Sequence, residues 1–333
     1  MGQNTRGIKV WAALAAVYVV WGSTYLGIML TIETIPPMLS GGLRFVSAAL
    51  ILGAVLAVRR GRRTFRMTRR QFFGAGLVGL LLLTAGNGMV AIAEQHISSG
   101  LAALLVASVP LWLVVFRMAV RDRPHLLTLS GVLIGFCGVA GLSLAGGASS
   151  STVGIVIILG GALSWSVGSF LSGRIPMPED PFVASTVEMA VGGGGLLLIG
   201  TAFGERMDLA AVSGGSWLAL AYLVLVGSLI GFTSYIWLLG NAPISLVSTY
   251  AYVNPVVAVL LGVVVLSERV TPQMIAAGFV IVVGVALVVS TERNGRRPDT
   301  ETPAGEAHGG PPEKAAPQKR SPVDGSLSEV TPS

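Results

Sequence analysis

Residues 46–83 read VSAALILGAVLAVRRGRRTFRMTRRQFFGAGLVGLLLL. Two apolar runs stand on either side of a short segment carrying seven arginines, Arg59, Arg60, Arg62, Arg63, Arg66, Arg69 and Arg70. An apolar run of about 20 residues crosses about 30 Å of hydrocarbon as a helix. A basic cluster between two such runs therefore reads as a loop held on the cytoplasmic side of a membrane.

Working outward, the same pattern repeats along the chain. Ten apolar stretches are expected to span, at 10–31, 37–58, 71–93, 100–120, 126–145, 153–172, 182–203, 217–239, 246–266 and 273–290. They are numbered 1 to 10 below. They are apolar all round and lack the two-residue alternation of an outer-membrane barrel. The predicted class is an all-α integral membrane protein of ten transmembrane helices. The first run is too long for a cleaved signal peptide and has nine more behind it. Loop arginines and lysines divide unequally. Arg6, Lys9, the seven of the cluster, Arg121, Arg123 and Arg174 fall on one side, and Arg206 and Arg269 on the other. That bias predicts a multi-pass protein of the inner (plasma) membrane with both termini cytoplasmic. Residues 1–9 are then a cytoplasmic N-terminus. The segment 291–333, rich in Pro, Gly, Ser and charge, reads as a disordered cytoplasmic tail.

Composition agrees. Of 333 residues, 53% are hydrophobic and 11% charged, with mean hydropathy +0.76. A soluble domain carries about 25% charge. The tail and the arginine cluster hold 20 of the 38 charges, which leaves 18 for everything else. A single cysteine, Cys137, excludes a disulfide framework and a thiolate metal cluster. No lysine follows a glycine, so no Gly-Lys-Ser/Thr phosphate loop is present. The basic pI belongs to segments beside apolar runs and points to anionic headgroups rather than nucleic acid. The expected partners are the lipid bilayer and a small-molecule substrate, with no cofactor and no metal; the oligomeric state is left open.

The chain also repeats itself. Trp21 recurs as Trp165 and Pro37 as Pro181, each 144 residues on, and Arg44 meets Glu188 at the same offset. Pro110 answers Pro255 at 145, and Gly138 answers Gly284 at 146. Residues 10–145 and 153–290 thus form two five-helix repeats. An odd number of spans makes the second copy enter from the opposite side, which gives an inverted repeat with a site expected near the midplane. Such symmetry suits a secondary transporter that alternates between two faces.

Three segments carry a family resemblance: Val20-Trp21-Gly22-Ser23-Thr24-Tyr25; Gly86-Asn87-Gly88-Met89; and Tyr250-Ala251-Tyr252-Val253-Asn254-Pro255, preceded by Ser248 and followed by Gly262 and Ser267-Glu268-Arg269. Together they resemble the EamA-type drug/metabolite transporters, nearest in wording to the YedA-type exporters. The resemblance covers residues 10–290. It implies ten helices, cytoplasmic termini and export of a small metabolite or drug-like molecule, and leaves the substrate open.

Charged residues deep in a span normally face a bundle interior, and Arg44 and Glu188 are the two such residues here. Glu188 reads as a proton-exchanging carboxylate, and Arg44 as a contact for an anionic or zwitterionic substrate; snorkelling to headgroups is the alternative for both. A direct pair is disfavoured, because antiparallel helices separate the two by about 10 Å in depth. Trp21, Ser23 and Thr24 lie about 18–22 Å from the start of span 1. Trp21 and Trp165 could wall an organic cation or apolar substrate from two sides, or simply pack. Asn87 between two glycines, Pro110, Tyr235, Tyr250, Tyr252, Asn254 and Pro255 complete the expected lining. Thr233, Ser234 and Trp237 give a weaker signal. Gly192–Gly195 read as a close-packing surface, and Cys137 as an apolar filler. Glu94, Gln95 and His96 are expected at the membrane interface, solvated.

Other classes fare worse. The histidines His96, His125 and His308 lie at span ends or in the tail, and no aspartate lies within a span, so the chain is not expected to be an enzyme. No folded soluble domain suggests a sensor. A passive channel is the main alternative, against which stands the lack of an acidic ring or filter-like loop.

Overall fold

A computed structural model describes residues 2–121, 126–144, 151–247 and 249–294. Among these residues every regular element is helical; seven helices are long and apolar enough to cross a membrane, and three shorter apolar helices complete the ten expected segments. The bounds are Gly2–Ile32, Pro37–Arg60, Arg69–Ala93, Ser99–Ala119, Leu126–Leu144, Thr152–Ser172, Pro181–Ala202, Gly214–Asn241, Tyr250–Leu266 and Pro272–Asn294. Most bounds lie close to where the hydropathy pattern places them, but span 1 begins at Gly2 rather than at residue 10, and the expected start of span 9 forms a separate short helix, Ile244–Val247. Arg123, His125, Ser248, His308 and residues 295–333 of the expected tail lie outside the described residues. Lipid-facing positions remain apolar: Leu50, Val58, Phe73, Leu133, Leu198, Leu218, Val264 and Phe279 are exposed on the outer faces of their helices.

The packing follows the repeat. Spans 5 and 10 pair with each other, as do spans 2 and 7. Span 1 packs on spans 8 and 9, and span 6 packs on spans 3 and 4. Exchanging each helix for its equivalent five places on maps this set of neighbours onto itself. The protein is thus built as two inverted five-helix repeats. Gly192, Gly193 and Gly195 let span 7 wedge between its neighbours. A Cβ on Gly192 would stand 2.6 Å from the Gly79 carbonyl oxygen of span 3, and one on Gly193 would stand 2.8 Å from the Val46 nitrogen of span 2. Cys137 is exposed rather than a core filler, because it faces away from the seam where Gly138 meets Ile281.

Three spans depart from ideal α-helix, a departure the hydropathy pattern does not carry. Leu80–Asn87 in span 3 and Leu223–Phe232 in span 8 are wound as π-helix, at equivalent places in the two repeats. Span 4 breaks between Val106 and Val109, because Pro110 has no amide to give the carbonyl four residues earlier. Pro255, its equivalent, sits inside an unbroken helix.

At one face, two carboxylates tie the repeats together. Glu268 accepts from the amides of Ser99 and Gly100 at 2.8 and 3.2 Å and from the Ser99 hydroxyl at 2.8 Å, capping the start of span 4. Glu205 accepts from the amides of Met38 and Leu39 at 3.2 and 2.9 Å at the start of span 2. Each glutamate follows a left-handed residue that ends its helix, Ser267 (φ 53°) or Gly204 (φ +83°). Each turns its amide back onto a glycine carbonyl, Gly262 or Gly200. At the opposite end of the span 2–7 pair, Arg60 is salt-bridged to Asp180.

Hydrogen bonds to a charged acceptor each contribute about 1.5–3 kcal/mol. Glu268→Ala is therefore expected to destabilise the folded protein by about 2 kcal/mol or more, read as a lower thermal midpoint in detergent, with Glu268→Gln intermediate.

Candidate functional site

A cavity of about 60 Å³ lies where the two repeats meet. It is bordered by spans 1, 2, 3 and 4 of the first repeat and spans 6, 8 and 9 of the second. Span 1 contributes Trp21, Thr24, Tyr25 and Ile28, a single stripe at i, i+3, i+4 and i+7. Span 3 contributes Leu83, Asn87 and Val90 at the same helical spacing, and span 9 contributes Tyr250 and Asn254. Arg44, Phe45, Val106, Trp165 and Phe232 complete the wall.

Of the residues expected at a site, the structure brings Trp21, Thr24, Arg44, Asn87, Trp165, Tyr250 and Asn254 to this cavity. Ser23 falls off the span 1 stripe; its hydroxyl donates to the Val20 carbonyl at 2.7 Å and shares a hydrogen bond with Tyr222 of span 8. Pro110 lies beyond the break in span 4, which re-aims the second half of that helix. Pro255 is one residue past the Tyr250–Asn254 stripe and turns away from the wall. Tyr235 stands behind the wall, and the Tyr252 side chain lies outside the described residues.

The two tryptophans do not face each other across a gap. They meet edge to face, with centroids 5.3 Å apart and planes at 85°. Tyr235 and Tyr250 join them at 4.8 and 5.3 Å from Trp21, making one four-ring patch. Residues near a two-fold axis necessarily approach their own equivalents, which is why a repeated tryptophan becomes a contact. The patch is tied down: Trp165 Nε1 donates to the Tyr235 hydroxyl at 3.3 Å, and that hydroxyl is 2.7 Å from Ser169 Oγ. Gly231 makes room for the Trp21 ring, since a Cβ there would stand 2.7 Å from the indole nitrogen. With its amide nitrogen turned toward them, Asn254 donates to the carbonyls of Tyr18 and Tyr250 at 3.1 and 3.3 Å. That joins span 9 to span 1, as does the Tyr18–Thr249 hydroxyl pair.

Arg44 is 3% exposed. Its Nε donates to Ser228 Oγ at 2.9 Å, and its guanidinium carbon stands 4.7 Å over the Phe45 ring. Gly227 admits the group, since a Cβ there would be 2.9 Å from Nη2. Nη1 has no hydrogen-bond partner among the described residues.

Glu188, the repeat equivalent of Arg44, is fully buried, unpaired with Arg44 and absent from the cavity wall. The position matching Ser228 is Thr84, whose hydroxyl donates instead to the Gly192 carbonyl at 2.7 Å. Both Glu188 carboxyl oxygens consequently lack a partner among the described residues. Glu94 is placed differently from its expected solvated position: it is buried, one turn beyond Val90 on span 3, and neither oxygen has a hydrogen-bond partner among the described residues. Gln95 and His96 are exposed as expected. Tyr25, Ile28, Phe45, Leu83, Val90, Val106 and Phe232 were absent from the sequence-derived lining. The heptad-like spacing from Trp21 and from Asn87 carried the signal for four of them, Tyr25, Ile28, Leu83 and Val90. Among the described residues no cluster of His, Cys, Asp and Glu could hold a metal ion.

Comparison with known proteins adds the following. The profile described as "EamA-like transporter family" matches residues 8–144 and 152–290, once per repeat. The inner membrane transporter YedA of Escherichia coli (strain K12) is 39% identical over 284 residues, 84% of this chain and 90% of that protein. The transporter YvbV of Bacillus subtilis (strain 168) is 25% identical over 83% of this chain and 90% of its own length. A protein named as a probable terminal-alkyne amino-acid exporter of Streptantibioticus cattleyicolor is 25% identical over 88% and 97%. One solved crystal structure superposes with a TM-score of 0.63 at 21% identity, over 87% of this chain and 99% of that one, which shows a shared fold.

Gly231→Leu is expected to push the Trp21 ring off its partners. The measurable outcome is a shifted and less quenched tryptophan emission together with a lower thermal midpoint, whereas Gly240→Leu, with nothing within 4 Å of its Cβ position, should leave both near wild type.

Proposed function

We propose that this chain, which belongs to the EamA-like transporter family, exports a small organic solute across the inner membrane by secondary transport, with alternating access between its two repeats. The observation that carries this reading is the cavity itself. It draws its wall from both repeats and lies at their interface, where rocking one half against the other would expose it to each face in turn. The exporter named among the relatives supports the direction of flux. The arginine-rich 59–70 loop supports cytoplasmic termini.

The moving parts fit the same reading. π-helical turns in spans 3 and 8 and the break in span 4 border the cavity and give helices places to bend without lipid-exposed backbone. The Glu205 and Glu268 caps close the face at which spans 2 and 4 begin, and opening there would release them. Glu188, a carboxyl with no hydrogen-bond partner among the described residues, is the group proposed to exchange a proton during the cycle.

Two measurements test this. With Cys137 replaced by Ala, a cysteine introduced at Asn87 should react with a membrane-impermeant reagent from each face, with rates that shift in opposite directions when transport is driven; reaction from neither face would overturn the placement. In everted vesicles, Glu188→Gln should abolish the dependence of uptake on a pH gradient while leaving solute counterflow intact. Unchanged pH-driven uptake would remove Glu188 from the proton path.

A further inference from the structure

The cavity wall carries more information than its position. Among the described residues that border it, Arg44 supplies the formal charge, and no acid borders it. The next turn of span 3 holds Glu94, a carboxyl buried outside the wall but near enough to Arg44 for the two charges to interact. The site is therefore cationic at one point and otherwise made of rings, aliphatic groups and neutral polar side chains.

Arg44 is held in a half-used state. A guanidinium offers five N–H donors in a rigid planar fork. Ser228 takes the Nε donor, Gly227 lies against Nη2, and Phe45 covers one face. Nη1 is enclosed and has no acceptor among the described residues. Burying a charged donor without an acceptor is costly, and a carboxylate is the acceptor whose geometry matches the fork. The same wall also carries the Trp21–Trp165–Tyr250 patch, which offers apolar ring surface.

We propose that the ligand of this cavity is a small organic monocarboxylate, with its carboxylate on Arg44 and an apolar or aromatic body against the Trp21–Trp165–Tyr250 patch. One guanidinium matches one negative charge, so a dianion such as a phosphate ester would keep an uncompensated charge in the bundle. An organic cation would meet the ring patch but also the Arg44 charge, with no carboxylate in the wall to offset it. The proposal rests on the reading of the cavity as the transport site.

Three probes with one body and different heads separate the classes: 3-phenylpropionate, 3-phenylpropanamide and 3-phenylpropylammonium. Their binding to the purified full-length protein is read by quenching of tryptophan emission and by titration calorimetry. The expected order is carboxylate tightest, at least tenfold over the amide, with the ammonium weakest. Arg44→Gln should remove that tenfold preference. Arg44→Lys, which keeps the charge, should preserve the order and guard against a misfolded glutamine variant. Equal binding of the amide or the ammonium, a preference that survives Arg44→Gln, or no carboxylate binding at millimolar concentration would each overturn the assignment. Those failures are distinct from failure of the transport reading, which is scored by two-sided labelling at position 87 and needs no ligand.

Discussion

Hydrocarbon supplies no hydrogen bonds, and the arrangement of this protein follows from that constraint. Backbone that leaves the α-helix must be enclosed by protein, so the irregular turns gather in one place. The π-helical runs at Leu80–Asn87 and Leu223–Phe232 and the break before Pro110 each border the central cavity on one side. The same constraint governs charge. Arg44 is tolerated because Ser228, Gly227 and Phe45 form a socket for it, and that socket is part of the cavity wall.

The two repeats share a backbone plan and differ in chemistry. Arg44 and Glu188 occupy equivalent places, yet one borders the cavity and the other is sealed between spans 3 and 7. The matching hydroxyls differ as well: Ser228 turns to Arg44, whereas Thr84 turns to the Gly192 carbonyl. The ends of the helices join the repeats asymmetrically. Glu205 and Glu268, both in the second repeat, each follow a left-handed residue and cap the start of a first-repeat span, span 2 or span 4, at the same face. On the other face the span 2–7 pair is held by the Arg60–Asp180 bridge, a partly exposed contact of a kind that contributes little. The described state is thus more firmly joined at the glutamate face.

Much of this was legible in the sequence, and particular residues show where legibility ended. The ten spans could be read because apolar length is a local property. The repeat could be read because Trp21, Pro37, Pro110 and Gly138 each returned at nearly one offset. Trp21, Thr24 and Asn87 could be placed near the site from depth along their helices, but depth does not give direction around the helix. Ser23 and Pro255 were therefore grouped with neighbours that face the cavity while they do not. Glu94 was misplaced for a related reason. Its position at a span end suggested water, and its burial depends on helices from distant parts of the chain covering it.

The sequence by itself determined the class of molecule, the number and order of its helices and their inverted symmetry, because these rest on composition and spacing along one chain. The tertiary structure decided which of the few polar groups share a space. It brought Trp21 onto Trp165 rather than opposite it, and it gave Arg44 a wall position with one donor unmatched and left Glu188 and Glu94 sealed with no hydrogen-bond partner, in each case among the described residues. Those outcomes depend on the rotation of each helix about its axis and on contacts between residues more than a hundred positions apart, and no local pattern encodes either.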